Sequence, residues 1–69
     1  MRAIRLAVYA DPTADAYTIT RDALELARRL EVGVWLRIDA GYSFNVDPEH
    51  TEGEAMRMAD SIINHRASQ

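Results

Sequence analysis

Apolar and polar side chains alternate over residues 3–9, with Ile4, Leu6 and Val8 on one side and Arg5 and Tyr9 on the other. That period of two predicts a strand with one buried face. Asp11-Pro12-Thr13-Ala14-Asp15 is turn-forming by composition. Tyr17-Thr18-Ile19-Thr20 is β-branched and aromatic, which predicts a short returning strand and hence a hairpin. The competing reading makes Asp11 the cap of a long helix with Pro12 at its first position. From Arg21 to Leu30 the period becomes helical: Ala23, Leu26, Ala27 and Leu30 form one stripe with Leu24 beside it. Thr20 is the expected N-cap, Asp22 falls in the first turn, Glu25 and Arg29 stand four apart, and Gly33 marks the stop.

In the second half, Val34, Leu36 and Ile38 alternate with Trp35 and Arg37, and Tyr42, Phe44 and Val46 alternate with Ser43 and Asn45. Asp39-Ala40-Gly41 between them predicts a tight hairpin connection in which Gly41 takes a positive φ. Asp47-Pro48 ends the last strand. Thr51-Glu52-Gly53-Glu54 has the form of a capping box, a hydroxyl at the N-cap and a carboxylate three residues on. Ala55, Met56, Ala59, Ile62 and Ile63 supply the buried stripe of a second helix, and His65 and Arg66 suit the negative end of its dipole. The pieces combine into one two-layer α+β domain over residues 1–69. Its sheet has three or four strands, mainly antiparallel, with both amphipathic helices on one face.

Composition narrows the classes. A chain of 69 residues buries a modest core, worth about 3–5 kcal/mol of net stability. It has no cysteine, so neither disulfides nor thiolate metal ligands are available. A hydrophobic content of 48% is too high for a disordered chain. No apolar run approaches the roughly 18 residues that span a bilayer, and Asp11-Pro12 cuts the N-terminal apolar stretch short, so it reads as a strand and not as a signal peptide. The expected setting is the cytoplasm, with no membrane partner. The net charge of −3 is unevenly spread: Asp39, Asp47, Glu49, Glu52 and Glu54 crowd into residues 39–54 with no Arg among them. All eight basic residues are Arg. A GC-rich bacterial or phage genome favours Arg codons over Lys codons, and Arg also offers a planar fork that Lys lacks.

Reactive constellations are sparse. Ser43 falls mid-strand and Ser61 mid-helix, and neither they nor Ser68 lie on the glycine elbow that exposes a serine nucleophile. His50 and Glu54 have a ligand-compatible spacing, but two ligands hold a metal weakly, and the candidates for a third are Asp47, Glu49 and distant His65. The carboxylates of 47–54 read as solvated, where burial would not tune them for acid–base work. Gly33, Gly41 and Gly53 are isolated, unlike the clustered glycines of a phosphate cradle. Neither an enzyme nor a cofactor- or metal-binding protein is expected. The acidic balance argues against direct nucleic-acid binding.

What remains is surface. The strand face opposite the helices carries Arg5, Tyr9, Trp35, Arg37, Ser43 and Asn45, and aromatics with Arg are what protein interfaces concentrate. The acidic segment, with Asp39, Asp47, Glu49, Glu52 and Glu54, is the second candidate, as a docking surface for a basic protein. In size, lack of cysteine, acidic balance, all-Arg basic set and compact α+β layout the chain resembles small phage-encoded anti-CRISPR proteins, in particular inhibitors of type I surveillance complexes. That family shares no motif, so no residue is carried over. The resemblance implies a stoichiometric inhibitor in a bacterial host that binds a Cas subunit and blocks target-DNA recognition or nuclease recruitment. A monomer is expected for such an inhibitor. The alternative is a homodimeric antitoxin-like or regulatory domain.

Overall fold

A computed structural model describes residues 3–68, which run β1 (Arg5–Tyr9), α1 (Ala16–Leu30), β2 (Gly33–Asp39), β3 (Tyr42–Val46) and α2 (Glu52–Ala67). The three strands form one open sheet in the order β1-β2-β3. β1 pairs parallel to β2, and β2 antiparallel to β3. The sheet is therefore mixed and not mainly antiparallel, and no fourth strand joins it among the described residues.

The cause lies in residues 16–20, which form the first turns of α1 and not a returning strand. Asp15 is the N-cap, in place of Thr20 or Asp11: its carboxylate accepts the N–H groups of Tyr17 and Thr18 and the Thr18 hydroxyl. Thr20 is buried inside the helix, and its hydroxyl donates to the carbonyls of Ala16 and Tyr17. Asp11 instead organises the preceding turn, accepting the N–H and hydroxyl of Thr13. A 15-residue helix between β1 and β2 forces a crossover, and a crossover delivers parallel strands.

Two other turn expectations also change. α1 closes on Glu31 in the left-handed region (φ 53°, ψ 45°), and Gly33 is the first residue of β2. None of the described glycines has a positive φ. The β2–β3 connection instead holds Gly41 through its N–H, which donates to the Asp39 carboxylate at 3.0 Å, beside a register shift between Arg37 and Asp39.

Both helices cover one face of the sheet. Ile19, Ala23, Leu24 and Ala27 of α1 pack with Val34, Leu36 and Val46 and with Ala55 of α2. Ala16, Ala59 and Ile62 form a second cluster against Ile38, Tyr42 and Phe44. Met56 and Ile63, expected inside, are exposed, as is Leu30; Met58 is half-buried against the core. The capping box of α2 is present as read: the Thr51 hydroxyl accepts the Glu54 N–H, and the Glu54 carboxylate accepts the Thr51 N–H.

These caps give stability a pH dependence. The Thr18 hydroxyl and the backbone hold the Asp15 carboxyl below its ordinary range; the Thr13 hydroxyl does the same for Asp11, and the Thr51 N–H for Glu54. A carboxyl depressed in the folded state contributes stability above its unfolded pKa, near 4, and loses that contribution as pH falls through the folded value. Tyr17 has the opposite sign. Its hydroxyl donates to Asp60 of α2 at 2.8 Å, which raises its pKa above the usual tyrosine value, so its contribution is present below about pH 10 and lost as pH rises through the folded value. Urea midpoints are expected to fall below pH 4 and again above pH 10, and Tyr17→Phe is expected to remove the tyrosine component of the alkaline fall and leave the acid limb.

Candidate functional site

The strand registers lay the uncovered face of the sheet out in three rows. Arg5, Gly33 and Asp47 make the first; Ala7, Trp35 and Asn45 the second; Tyr9, Arg37 and Ser43 the third. Asp47 follows β3 and continues its alternation onto this face. Arg5 Nη1 meets Asp47 Oδ1 at 3.1 Å. The bridge passes directly over Gly33, where a Cβ would overlap the Arg5 guanidinium and stand 3.0 Å from Asp47 Oδ1. Glycine here leaves room for the ion pair to cross close to the backbone and is not needed for its φ.

The Arg5 side chain is 48% exposed, a setting in which an ion pair is worth about 0–1 kcal/mol. Gly33→Ala is accordingly expected to push Arg5 outward at a cost below about 1 kcal/mol. In a thermodynamic cycle, Arg5→Ala should then add nothing in the Gly33→Ala background, although it weakens the parent.

In the third row the Arg37 guanidinium lies over the Tyr9 ring, 5.6 Å from its centroid. Tyr9 is 78% exposed and Trp35 39% exposed. Trp35 stands at the centre of the face on the middle strand, between an alanine and an asparagine. Sequence alternation placed Arg5, Tyr9, Trp35, Arg37, Ser43 and Asn45 on this face, and the registers put all six there. It passed over Ala7 and Gly33, the two small residues that keep the face low around Trp35 and under the ion pair. Their signal was the same alternation, read for absence of bulk.

The acidic segment disperses on folding. Asp39 Oδ2 lies 2.6 Å from His65 Nε2, and His65 stacks on Tyr42 with centroids 4.0 Å apart. Asp47 is bridged to Arg5, and Glu54 closes the capping box. Glu49 and Glu52 stay exposed. Three of the five carboxylates thus have structural partners, and the five do not form a free acidic surface. His50 Nδ1 accepts the Asp47 N–H at 2.9 Å, so both members of the His50/Glu54 pair are engaged by backbone. Among the described residues no group of three or more His, Asp or Glu side chains is arranged to hold a metal ion.

The arginines also serve inside the molecule. Arg28 donates from two nitrogens to the Pro48 and His50 carbonyls, fastening the β3–α2 loop to α1, and Arg66 donates to the Ala14 carbonyl. Arg28 uses the planar fork for which a lysine is no substitute. It also lines an open groove of about 700 Å³ between α1 and α2, floored by Leu24 and Ala55, which the sequence did not reveal. The groove's charges nearly balance, Arg21, Arg28 and Arg29 against Glu25 and Glu52, and Arg29 pairs with Glu25 at 3.8 Å.

No described helix is long and apolar enough to cross a membrane. Compared with known proteins, the chain matches no family model, no curated protein and no solved structure.

Proposed function

We propose that this chain is a non-catalytic, protein-binding domain that docks through the open face of its sheet. The observation that carries this reading is the chain's one tryptophan, exposed at the centre of a face with a Tyr–Arg pair on one side and an ion pair on the other. Rigid aromatics and Arg give large contact area at low entropic cost, the usual composition of an interface centre. A net charge of −3 supports a protein partner over a nucleic acid.

The resemblance to small phage-encoded anti-CRISPR proteins gives the partner its most specific form, a Cas subunit of a type I surveillance complex. Binding there would block DNA recognition or nuclease recruitment. The acidic segment contributes to such docking only through Glu49 and Glu52, since its other carboxylates serve the fold.

The test uses the parent chain and Trp35→Ala, immobilised in parallel and exposed to a lysate containing a type I complex. Retention of one protein by the parent and its loss by the variant supports the reading. Equal retention by both would move the interface off the sheet. Retention of nucleic acid without protein would replace the proposed partner class.

A further inference from the structure

The outer edge of β1 is open and unusually apolar. All of β1 except Val8 is exposed, although Leu6 and Val8, with Ile4 just before the strand, were patterned for burial; Leu6 is 38% and Ile4 68% exposed. β1 is an edge strand, and no other described strand pairs with its outer side. The backbone direction follows from one bond. The Ala10 N–H donates to the Arg37 carbonyl at 2.8 Å, so the even-numbered residues of this segment turn their polar groups toward β2. Arg5, Ala7 and Tyr9 therefore turn their N–H and C=O groups outward. β1 carries no proline, lysine or bulge; its one charge is Arg5, at the start of the strand, where the Asp47 carboxylate pairs it on the open face.

We propose that β1 pairs antiparallel with β1 of a second copy of this chain, about a two-fold axis at Ala7, joining two three-stranded sheets into one of six strands. The register is set by the chain itself. An axis at Ala7 opposes Ala7 with its own copy and Arg5 with the copy's Tyr9. These are the residues whose N–H and C=O face outward, so every outward group of Arg5, Ala7 and Tyr9 gains a partner.

The side chains fit the same register. On the helix side, Leu6 falls opposite the copy's Val8 and Ile4 opposite its Ala10, covering the apolar residues the monomer leaves exposed. On the open face, Arg5 falls opposite the copy's Tyr9 ring, whose other neighbour is Arg37. Only a methyl group stands at the axis. A one-residue shift of the axis would pair outward groups over a shorter length and separate Arg5 from Tyr9. β3, the other edge, exposes less apolar surface, since Tyr42 and Phe44 are only partly exposed and Val46 is buried.

The dimer replaces the monomer expected of a one-to-one inhibitor and is the state expected of the antitoxin-like or regulatory alternative; it does not depend on the docking role of the open face. It would set the two Trp35 side chains on one continuous surface, about 14 Å apart across three strand spacings.

Sedimentation of the full chain tests this, with Ala7→Pro and Ala7→Glu. The Ala7 N–H faces outward, so proline there removes an edge donor and leaves the β1–β2 ladder intact. The parent is expected at twice its 7.8 kDa mass. Both variants are expected at the monomer mass with an unchanged helical spectrum; glutamate, which keeps the backbone donor, stands in if the proline variant fails to fold.

Position is read by cysteine, since the parent has none. Opposed residues in such a pair have Cα atoms about 5.5 Å apart, within disulfide reach. Ala7→Cys should therefore oxidise to a covalent dimer, and Asn45→Cys on the far strand should not. A parent that stays monomeric to millimolar concentration, or a dimer that survives Ala7→Glu or cross-links through residue 45 instead, would overturn the proposal. Loss of partner binding in Trp35→Ala with dimerisation intact would leave it untouched.

Discussion

Ile62→Ala is expected to remove most of the domain's folding stability at 25 °C. Ile62 is fully buried where α2 meets the sheet, in contact with a cluster whose other buried members are Ala16 and Ala59. Removing a buried isoleucine to alanine costs about 2–5 kcal/mol, the more so where neighbours cannot move in to fill the space. Ala16 and Ala59 have only methyl groups with which to fill it, and Ile38, Tyr42 and Phe44, packed against the cluster from the sheet, could fill it only by shifting. The whole domain, with a single small core, has about 3–5 kcal/mol to lose. The adjacent Ile63 supplies the control. It is 42% exposed, and Ile63→Ala should cost about 1 kcal/mol or less. Urea unfolding followed by far-UV circular dichroism separates the two. A cooperative Ile62→Ala transition with a midpoint close to the parent's would mean that α2 is not seated on β2 and β3 as described.

The same contrast shows what the sequence could and could not convey. The β2–β3 hairpin, the α2 capping box and the C-terminal two-thirds of α1 were legible because each is specified locally, by alternation or by a cap with its own chemistry. The start of α1 was not. Tyr17-Thr18-Ile19-Thr20 has strand propensity, and two things outside that run override it. Asp15 supplies three hydrogen bonds to the first turn, and Ile19 and Thr20 become buried only when the segment is helical. That one misreading turned a parallel crossover into an antiparallel hairpin. In α2 the stripe was misplaced at its rim: Met56 and Ile63 flank Ala55, Ala59 and Ile62 on the helix surface, and only packing against α1 decides which of them the core covers.

The candidate face was legible for the same reason as the hairpin, since period-two alternation assigns each residue to a side and the registers preserved it. The acidic segment was not. A run of charges along a chain shows nothing of partners that arrive from afar: Arg5 reaches Asp47 across 42 positions, and His65 reaches Asp39 across 26. Glu54 was doubly readable, as a cap and as a surface charge, and the cap is what it became. Reversing Glu54 would therefore disturb α2 before it tested any docking, whereas Glu49 and Glu52 report on surface charge.

Trp35→Ala is expected to weaken partner binding by more than about 2 kcal/mol, roughly thirtyfold or greater in Kd, while the domain still unfolds in one cooperative transition. The separation follows from position. Trp35 alternates with Val34 and Leu36, which are buried, and so points away from the core that they and Ile62 complete. Its truncation opens no cavity beneath the helices. Being the only tryptophan, it also reports its own environment, and a partner that covers the face should shift its fluorescence to shorter wavelength. Arg37→Ala should weaken binding less, since it removes the cation over Tyr9 and leaves the central ring in place. A variant with Trp35 replaced that binds as the parent does would show that the ring is only a lid over the sheet. One that fails to fold would place it in the core, against the exposure and register found here.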